Sequence, residues 1–339
     1  MEWRVRRGLR MDSRGMLLIQ VLIGLAIVAA AVWYVGVQGL GSTLVTVNPA
    51  YIGLCLIAYL AMNLLFAFRL IRVLGSMGFR IGFWRMLLIQ FGGMLASDFT
   101  PARSGYFIVP VLLNGEGLPV TVGLSSILGC QSVEFLVKMF GGAMAIAYLA
   151  STAQLSQSLF ILSIVGVALM LLGSGLIAAA MWWRRAGGIL GFIFRVPLLE
   201  RLGAPLLGKI SEFQREAAKV KSIIHEITLL TVASWIVKGF EWYFIGLALG
   251  IGEISWLGYF LIHPLVTALS FIPLTPSGLG FQEGGIVGVL YLLGVDLKVG
   301  LAFAILARTL LILEDLIGIY PISKIGVRAF KTISLRVER

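Results

Sequence analysis

The sequence predicts an all-α integral membrane protein with about six full transmembrane helices plus two oppositely oriented re-entrant helical hairpins in an inverted repeat. Three observations carry that expectation. First, 59% of the 339 residues are hydrophobic and only 13% charged, with a mean hydropathy of +0.98, against roughly 45–50% and 25% in soluble domains. Lipid must be the solvent for much of such a chain. Second, apolar runs of about twenty residues recur, which in lipid fold as helices because each backbone group needs an internal partner. Such runs exclude a β-barrel, whose strands are short and alternating. Third, two of the long apolar stretches are broken at their centres by Thr-Pro.

Along the chain, a basic N-terminus (1–15) precedes a first helix over roughly Met16–Val37. It resembles a signal peptide, but the apolar run continues to about Val37, so it is expected to be retained as a first helix. A second helix is expected over Pro49–Phe68, followed by a basic loop with Arg69, Arg72, Arg80 and Arg85. Met86–Leu113 is broken at Asp98-Phe99-Thr100-Pro101-Ala102-Arg103-Ser104-Gly105, leaving halves too short to span. Helices follow over about Val120–Ala150 and Leu159–Trp183. The polar segment 184–226 is expected to be a cytoplasmic connecting loop whose stretch Glu200–Glu226 lies as a helix on the membrane surface. Ile227–Leu249 is a helix, Ser255–Leu293 is broken at Pro273-Leu274-Thr275-Pro276-Ser277-Gly278-Leu279-Gly280, and Val299–Tyr320 is the last helix before a basic tail, 323–339. Cys55 and Cys130 fall inside apolar runs and are expected to be free thiols.

The formal charge of +11 is concentrated before helix 1, in the 69–85 loop, in 184–226 and in the tail, whereas 38–48, 151–157 and 250–254 carry no cation. Clustered this way, the charge points to anionic lipid headgroups and not to nucleic acid. The positive-inside rule places the basic segments and both termini in the cytoplasm of a cell-membrane protein. Met86–Leu113 must then enter and leave from inside, and Ser255–Leu293 from outside. Unit one (49–150) and unit two (227–322) thus share an order, helix–hairpin–helix, in opposite orientations within one transmembrane domain, 16–322. Broken helices meeting near the midplane of inverted repeats are the design of many secondary transporters.

Ionisable residues inside the membrane are functional candidates by default. Arg103 stands at the first tip, beside half-helix N–H groups that attract anions. It either completes a phosphate or carboxylate site or snorkels to the interface. Asp98 is its partner or an N-cap. Glu134 and Lys138, spaced i,i+4 with Gln131 on the same face, form a structural pair or serve transport. Lys238 and Glu241 repeat the spacing idea. Arg308 lies 33 residues after Thr275 and Glu134 lies 34 after Thr100, so the symmetry brings these opposite charges together, with Asp315 on the face of Arg308. Glu283 is aimed at the same cavity. His263 is read as packing or interfacial. No metal-ligand cluster, P-loop or nucleotide fingerprint is present, so no cofactor is expected.

The stretch from Ser97 to Gly105 resembles the "TPGR-x-GE" element of the flippase-like family that includes the transmembrane region of lysylphosphatidylglycerol synthetase. The stretch from Pro273 to Gly285 is similar to that family's "P-x-SPGGLG-x-x-E" element, and Arg308 to the arginine that follows it. Tyr106 stands where the family usually has glutamate, and Phe135 where it often has arginine. The resemblance implies a lipid translocase, not an enzyme, that moves a charged phospholipid, glycolipid or polyprenyl-phosphate-linked substrate between leaflets. The alternative is a non-transporting subunit that presents such a lipid to a partner glycosyltransferase or lipid synthase. A membrane lipid enzyme is a third reading, for which no nucleophile–base pair is found. The expected substrate-binding set is Asp98, Thr100, Arg103, Glu134, Lys138, Thr275, Ser277, Glu283 and Arg308.

Overall fold

The computed structural model describes residues 44–152, 157–183, 211–269 and 275–324, together with Leu22, Ala29, Val32 and Trp33. The expectations for the N-terminus, the helix over 16–37, residues 184–210, Pro273-Leu274 and the tail beyond 324 lie outside the described residues. Within the described residues the chain is helical, with a single isolated backbone bridge.

Helix α1 (Pro49–Ser76) begins where Asn48 accepts the Ala50 N–H with its side chain and Pro49 presets the first turn. Its 28 residues span roughly 42 Å at 1.5 Å per residue. It ends at Gly78, whose φ of +89° closes the helix with Phe79 N–H donating to Leu74 O at 2.9 Å. This corrects the expected end at Phe68. Arg69 and Arg72 are not in a loop but continue the helix by two turns, because Arg69 is buried (3% exposed) and finds acceptors inside the protein.

Helix α2 (Phe83–Asp98), a 3₁₀ turn (Ser104–Ile108) and α3 (Val109–Gly115) form the first broken segment. Arg85 and Glu116 pair at 3.0 Å, so the segment leaves and returns at the same end of the bundle. The long helix α4 (Val120–Thr152) and α5 (Gln157–Trp182) follow. Helix α6 (Ile224–Ala248) is the end of a 38-residue helical run, Ser211–Ala248. The described part of Glu200–Glu226 therefore runs on into α6. Ala217 and Val220 are fully buried against α1, α4 and α5, and Trp182 Nε1–H donates to Ala217 O at 2.9 Å. Helices α7 (Trp256–Leu269) and α8 (Phe281–Leu292) flank the second break, and α9 (Leu297–Asp315) runs into a last 3₁₀ turn, Leu316–Gly318.

Among the described residues, four helices are long and apolar enough to cross a membrane: Pro49–Ser76, Val120–Thr152, Ile164–Trp182 and Ser211–Ala248. Among the described residues two large apolar cores form, with a small third cluster around Leu301 and Ala302. Leu70, Leu74, Met86, Leu113, Met181 and Val220 fill the first. Ala145, Ile245, Ile262, Leu290 and the stacked rings of Tyr259 and Phe303 fill the second. Polar side chains gather between the two.

Candidate functional site

The two breaks meet. Pro101 and Pro276 form an antiparallel backbone bridge, and Ser277 N–H donates to Thr100 O at 2.9 Å. Each tip is held in a conformation that L-residues resist. Ala102 (φ +52°), Arg103 (+56°) and Ser277 (+46°) are all left-handed, at a cost of about 1–2 kcal/mol each. Thr100 buckles the first tip: its hydroxyl accepts Gly105 N–H at 2.6 Å and donates to Ala96 O at 3.1 Å. A Cβ on Gly105 would lie 2.1 Å from Ala96 O, so only glycine allows this closure. Thr275 buckles the second tip, donating to Leu279 O at 2.8 Å. Glu283 caps α8 by accepting Gly280 N–H at 2.6 Å.

A cavity of about 360 Å³ opens beside the joined tips. Of the expected site residues, Asp98, Arg103, Glu134, Lys138, Ser277, Glu283 and Arg308 line it. Thr100 and Thr275 are not on its wall: both hydroxyls are used inside the tips. Gln131 and His263 are on the wall, His263 edge-on to Trp242 at 4.8 Å between ring centres.

The charges are paired one to one except at Glu134. Arg103 donates to Asp98 at 3.2 Å. Arg308 Nε–H donates to the other oxygen of Glu283, and its Nη2 reaches Gln282 at 3.1 Å. Lys238 reaches both oxygens of Glu241 at 2.6 Å. Glu134 accepts from Lys138 at 2.8 Å and from Arg69 at 3.1 Å. The expected pairing of Glu134 with Arg308 therefore does not form, because each has a nearer partner. Asp315 likewise turns from Arg308 to α1, where Tyr59 Oη lies 2.9 and 2.8 Å from its two oxygens.

Arg69 is the wall residue that sequence reasoning missed. It donates to Thr231 at 2.8 Å as well as to Glu134. Tyr59, Met62, Phe66 and Arg69 all face the cavity, and their spacing of three and four is the signature of one helix face continuing through the arginine. The wall thus holds five cations (Arg69, Arg103, Lys138, Lys238, Arg308) against four carboxylates (Asp98, Glu134, Glu241, Glu283). That leaves one formal positive charge for a ligand, with two exchangeable arginine–carboxylate contacts at the tips.

The family model for the lysylphosphatidylglycerol synthase TM region matches residues 21–313. No curated protein matches the chain.

Proposed function

The chain belongs to the lysylphosphatidylglycerol synthase TM-region family, and from that premise we propose that it is a lipid translocase which moves a phosphate-bearing lipid between membrane leaflets. The observation that carries this reading is the meeting of two strained tips at one cavity, where Arg103 on the first tip and Arg308, reaching the second from α9, are each held by one carboxylate. Arginine's planar fork matches a phosphate bidentately. A phosphodiester brings the single negative charge that the wall's excess cation lacks. The volume of about 360 Å³ suits a headgroup, leaving acyl chains in the surrounding lipid.

We read the segments α2–α3 and α7–α8 as re-entrant hairpins of an inverted repeat. The Arg85–Glu116 pair at the base of the first, and the bridge between the tips, support that reading. Irregular backbone at membrane depth is tolerated only against protein or a wet cavity, and here both tips have protein on one side and the cavity on the other. In this mechanism the substrate phosphate displaces Asp98 from Arg103 and Glu283 from Arg308 in turn. In the empty protein both arginines stay paired with their carboxylates, and in the loaded one each exchanges its carboxylate for the phosphate.

Native mass spectrometry of the purified protein with its co-purified lipid tests the reading. A bound phosphate-bearing lipid is expected. A chain carrying only neutral lipid contradicts it, and a chain that binds the phospholipid but never moves it in vesicles belongs instead to a presenting role beside a glycosyltransferase or lipid synthase.

A further inference from the structure

Resting on the translocase reading, we infer that Arg69 and Lys138 form a third anion station in the cavity, which holds the lipid phosphate while both tip arginines keep their carboxylates. The position of the excess charge points there. Arg103 with Asp98, Arg308 with Glu283 and Lys238 with Glu241 are each one cation on one carboxylate. Glu134 is shared: Lys138 takes its Oε1 at 2.8 Å and Arg69 takes its Oε2 at 3.1 Å. Among the described residues, the wall's unmatched positive charge therefore sits at this cluster and not at the tips.

Three helices fix the arginine. Phe66 stands one turn before it on α1, with its ring centre 4.5 Å from Arg69 Cζ. Thr231 of α6 spends its own hydrogen on Ile227 O at 2.7 Å, so its hydroxyl oxygen accepts Arg69 Nη1–H at 2.8 Å. Glu134 of α4 takes Nη2. One donor is left over: Arg69 Nε–H is buried and has no partner among the described residues. Gln90 repeats the pattern on the same cavity wall. It is fully buried, its oxygen accepts Tyr106 Oη–H at 2.5 Å, and its Nε2 has no partner among the described residues. Lys138, 17% exposed, gives the cluster an opening to the cavity.

Buried cations are stable only when paired and hydrogen-bonded, and a buried donor without an acceptor is destabilising. Two cations that share one carboxylate, beside unused N–H groups, fit an anion rich in acceptor oxygens. A lipid phosphodiester brings one negative charge and two non-bridging oxygens. It balances the cluster without displacing Glu134, using arginine's directed N–H groups and lysine's point charge. At the tips the same phosphate must first displace a carboxylate. The lipid therefore rests at Arg69 and Lys138 with both tip pairs closed, and opens one tip pair at a time as it moves. Free phosphate offers the same oxygens without the acyl chains, so the two sources are separated below.

The test titrates the full chain in detergent with dioctanoyl phosphatidylglycerol and reads binding by native mass spectrometry. Arg69→Gln leaves Glu134 paired with Lys138, so it should fold, yet bind the lipid about tenfold more weakly or worse. Should it fail to fold, Lys138→Gln, which leaves Glu134 with Arg69, carries the same expectation. The double variant Arg103→Lys with Arg308→Lys should bind within about threefold of wild type, because the station is untouched. Glu134→Gln removes the shared anion and reverses the sign: binding should tighten about threefold or more. Arg72→Gln, on the exposed pair with Glu226, controls for overall charge and should bind as wild type does. Inorganic phosphate should displace the lipid only at about a hundredfold excess, and dioctanoylglycerol not at all. Undiminished binding in folded Arg69→Gln, or weaker binding in Glu134→Gln, overturns the station and leaves the translocase reading intact. Displacement by equimolar phosphate would make it a site for the free anion, and displacement by dioctanoylglycerol a site for acyl chains; either overturns it. Failure of the wild type to bind any phospholipid removes the translocase reading, and the station with it.

Discussion

Ser277 N–H donates to the carbonyl of Thr100 at 2.9 Å, closing the second break onto the first across most of the chain's length. Neither peptide group could lie in hydrocarbon unpaired, since an unsatisfied buried backbone group costs several kcal/mol. Each tip therefore supplies the partner that the other needs, and Arg103 of the first tip and Arg308 of α9 line the same cavity beside them.

Cross-linking reads this contact directly. In a chain with Cys55→Ala and Cys130→Ala, the pair Pro101→Cys and Pro276→Cys should form a disulfide in native membranes under mild oxidant. Opposed residues of an antiparallel bridge have Cα atoms about 4.5–5.5 Å apart, inside the range a disulfide spans. Cleavage within 184–210 followed by electrophoresis shows whether the halves stay joined. Halves that separate would mean the tips do not meet.

Gly105→Ala should lower the melting temperature in detergent sharply, equivalent to ~2 kcal/mol or more, because its Cβ meets backbone at Ala96 and not a side chain that can yield. Gly284→Ala is the control: nothing lies within 4 Å of its added Cβ, and the helical alanine should be neutral or slightly stabilising. Equal melting of Gly105→Ala and wild type would remove the account of the first tip.

Lys238 and Glu241 are expected to be a structural pair. Both sit deep, 10% and 2% exposed, and are fully committed to each other. Lys238→Met should destabilise by about 3–5 kcal/mol, since it orphans a buried carboxylate, while adding Glu241→Leu should restore most of that loss. A thermal-shift double-mutant cycle measures the coupling. Additive losses would show that the two residues do not depend on each other.

The ion pairs Arg72–Glu226 (2.8 Å) and Arg85–Glu116 (3.0 Å) mark one end of the bundle, which the positive-inside rule assigns to the cytoplasm. Single cysteines at Ser211 and Ser323 should resist impermeant thiol reagents in intact cells, and one at Ser151 should react. The opposite pattern would invert the orientation.

Much of this was legible because helix breaks are written locally. Thr-Pro followed by small residues stops a helix whatever surrounds it, so both breaks stand where the sequence puts them. Lysine–glutamate pairs at i,i+4 and i,i+3 were legible for the same reason. Arg69 was not. A hydropathy reading ends a helix at its first charges, whereas the protein buries that guanidinium against Thr231 and Glu134, partners distant in sequence. Symmetry also misassigned partners: equivalent positions put Glu134 and Arg308 in similar places, but side-chain reach gave Glu134 to Arg69 and Lys138, and Arg308 to Glu283.

The central claim is that Arg103 and Arg308 bind the lipid phosphate by turns, and a leaflet assay on their lysine variants tests it most directly. The chain is reconstituted into phosphatidylcholine–phosphatidylglycerol vesicles with a trace of fluorescent phosphatidylglycerol, and dithionite quenching reports movement between leaflets. Lysine keeps the charge that Asp98 and Glu283 need, so folding should be retained, but it loses the fork. Loss of a charged hydrogen bond of about 1.5–3 kcal/mol should slow translocation in Arg103→Lys and Arg308→Lys by roughly 10- to 100-fold. Folded lysine variants that move the lipid as fast as wild type would contradict the account.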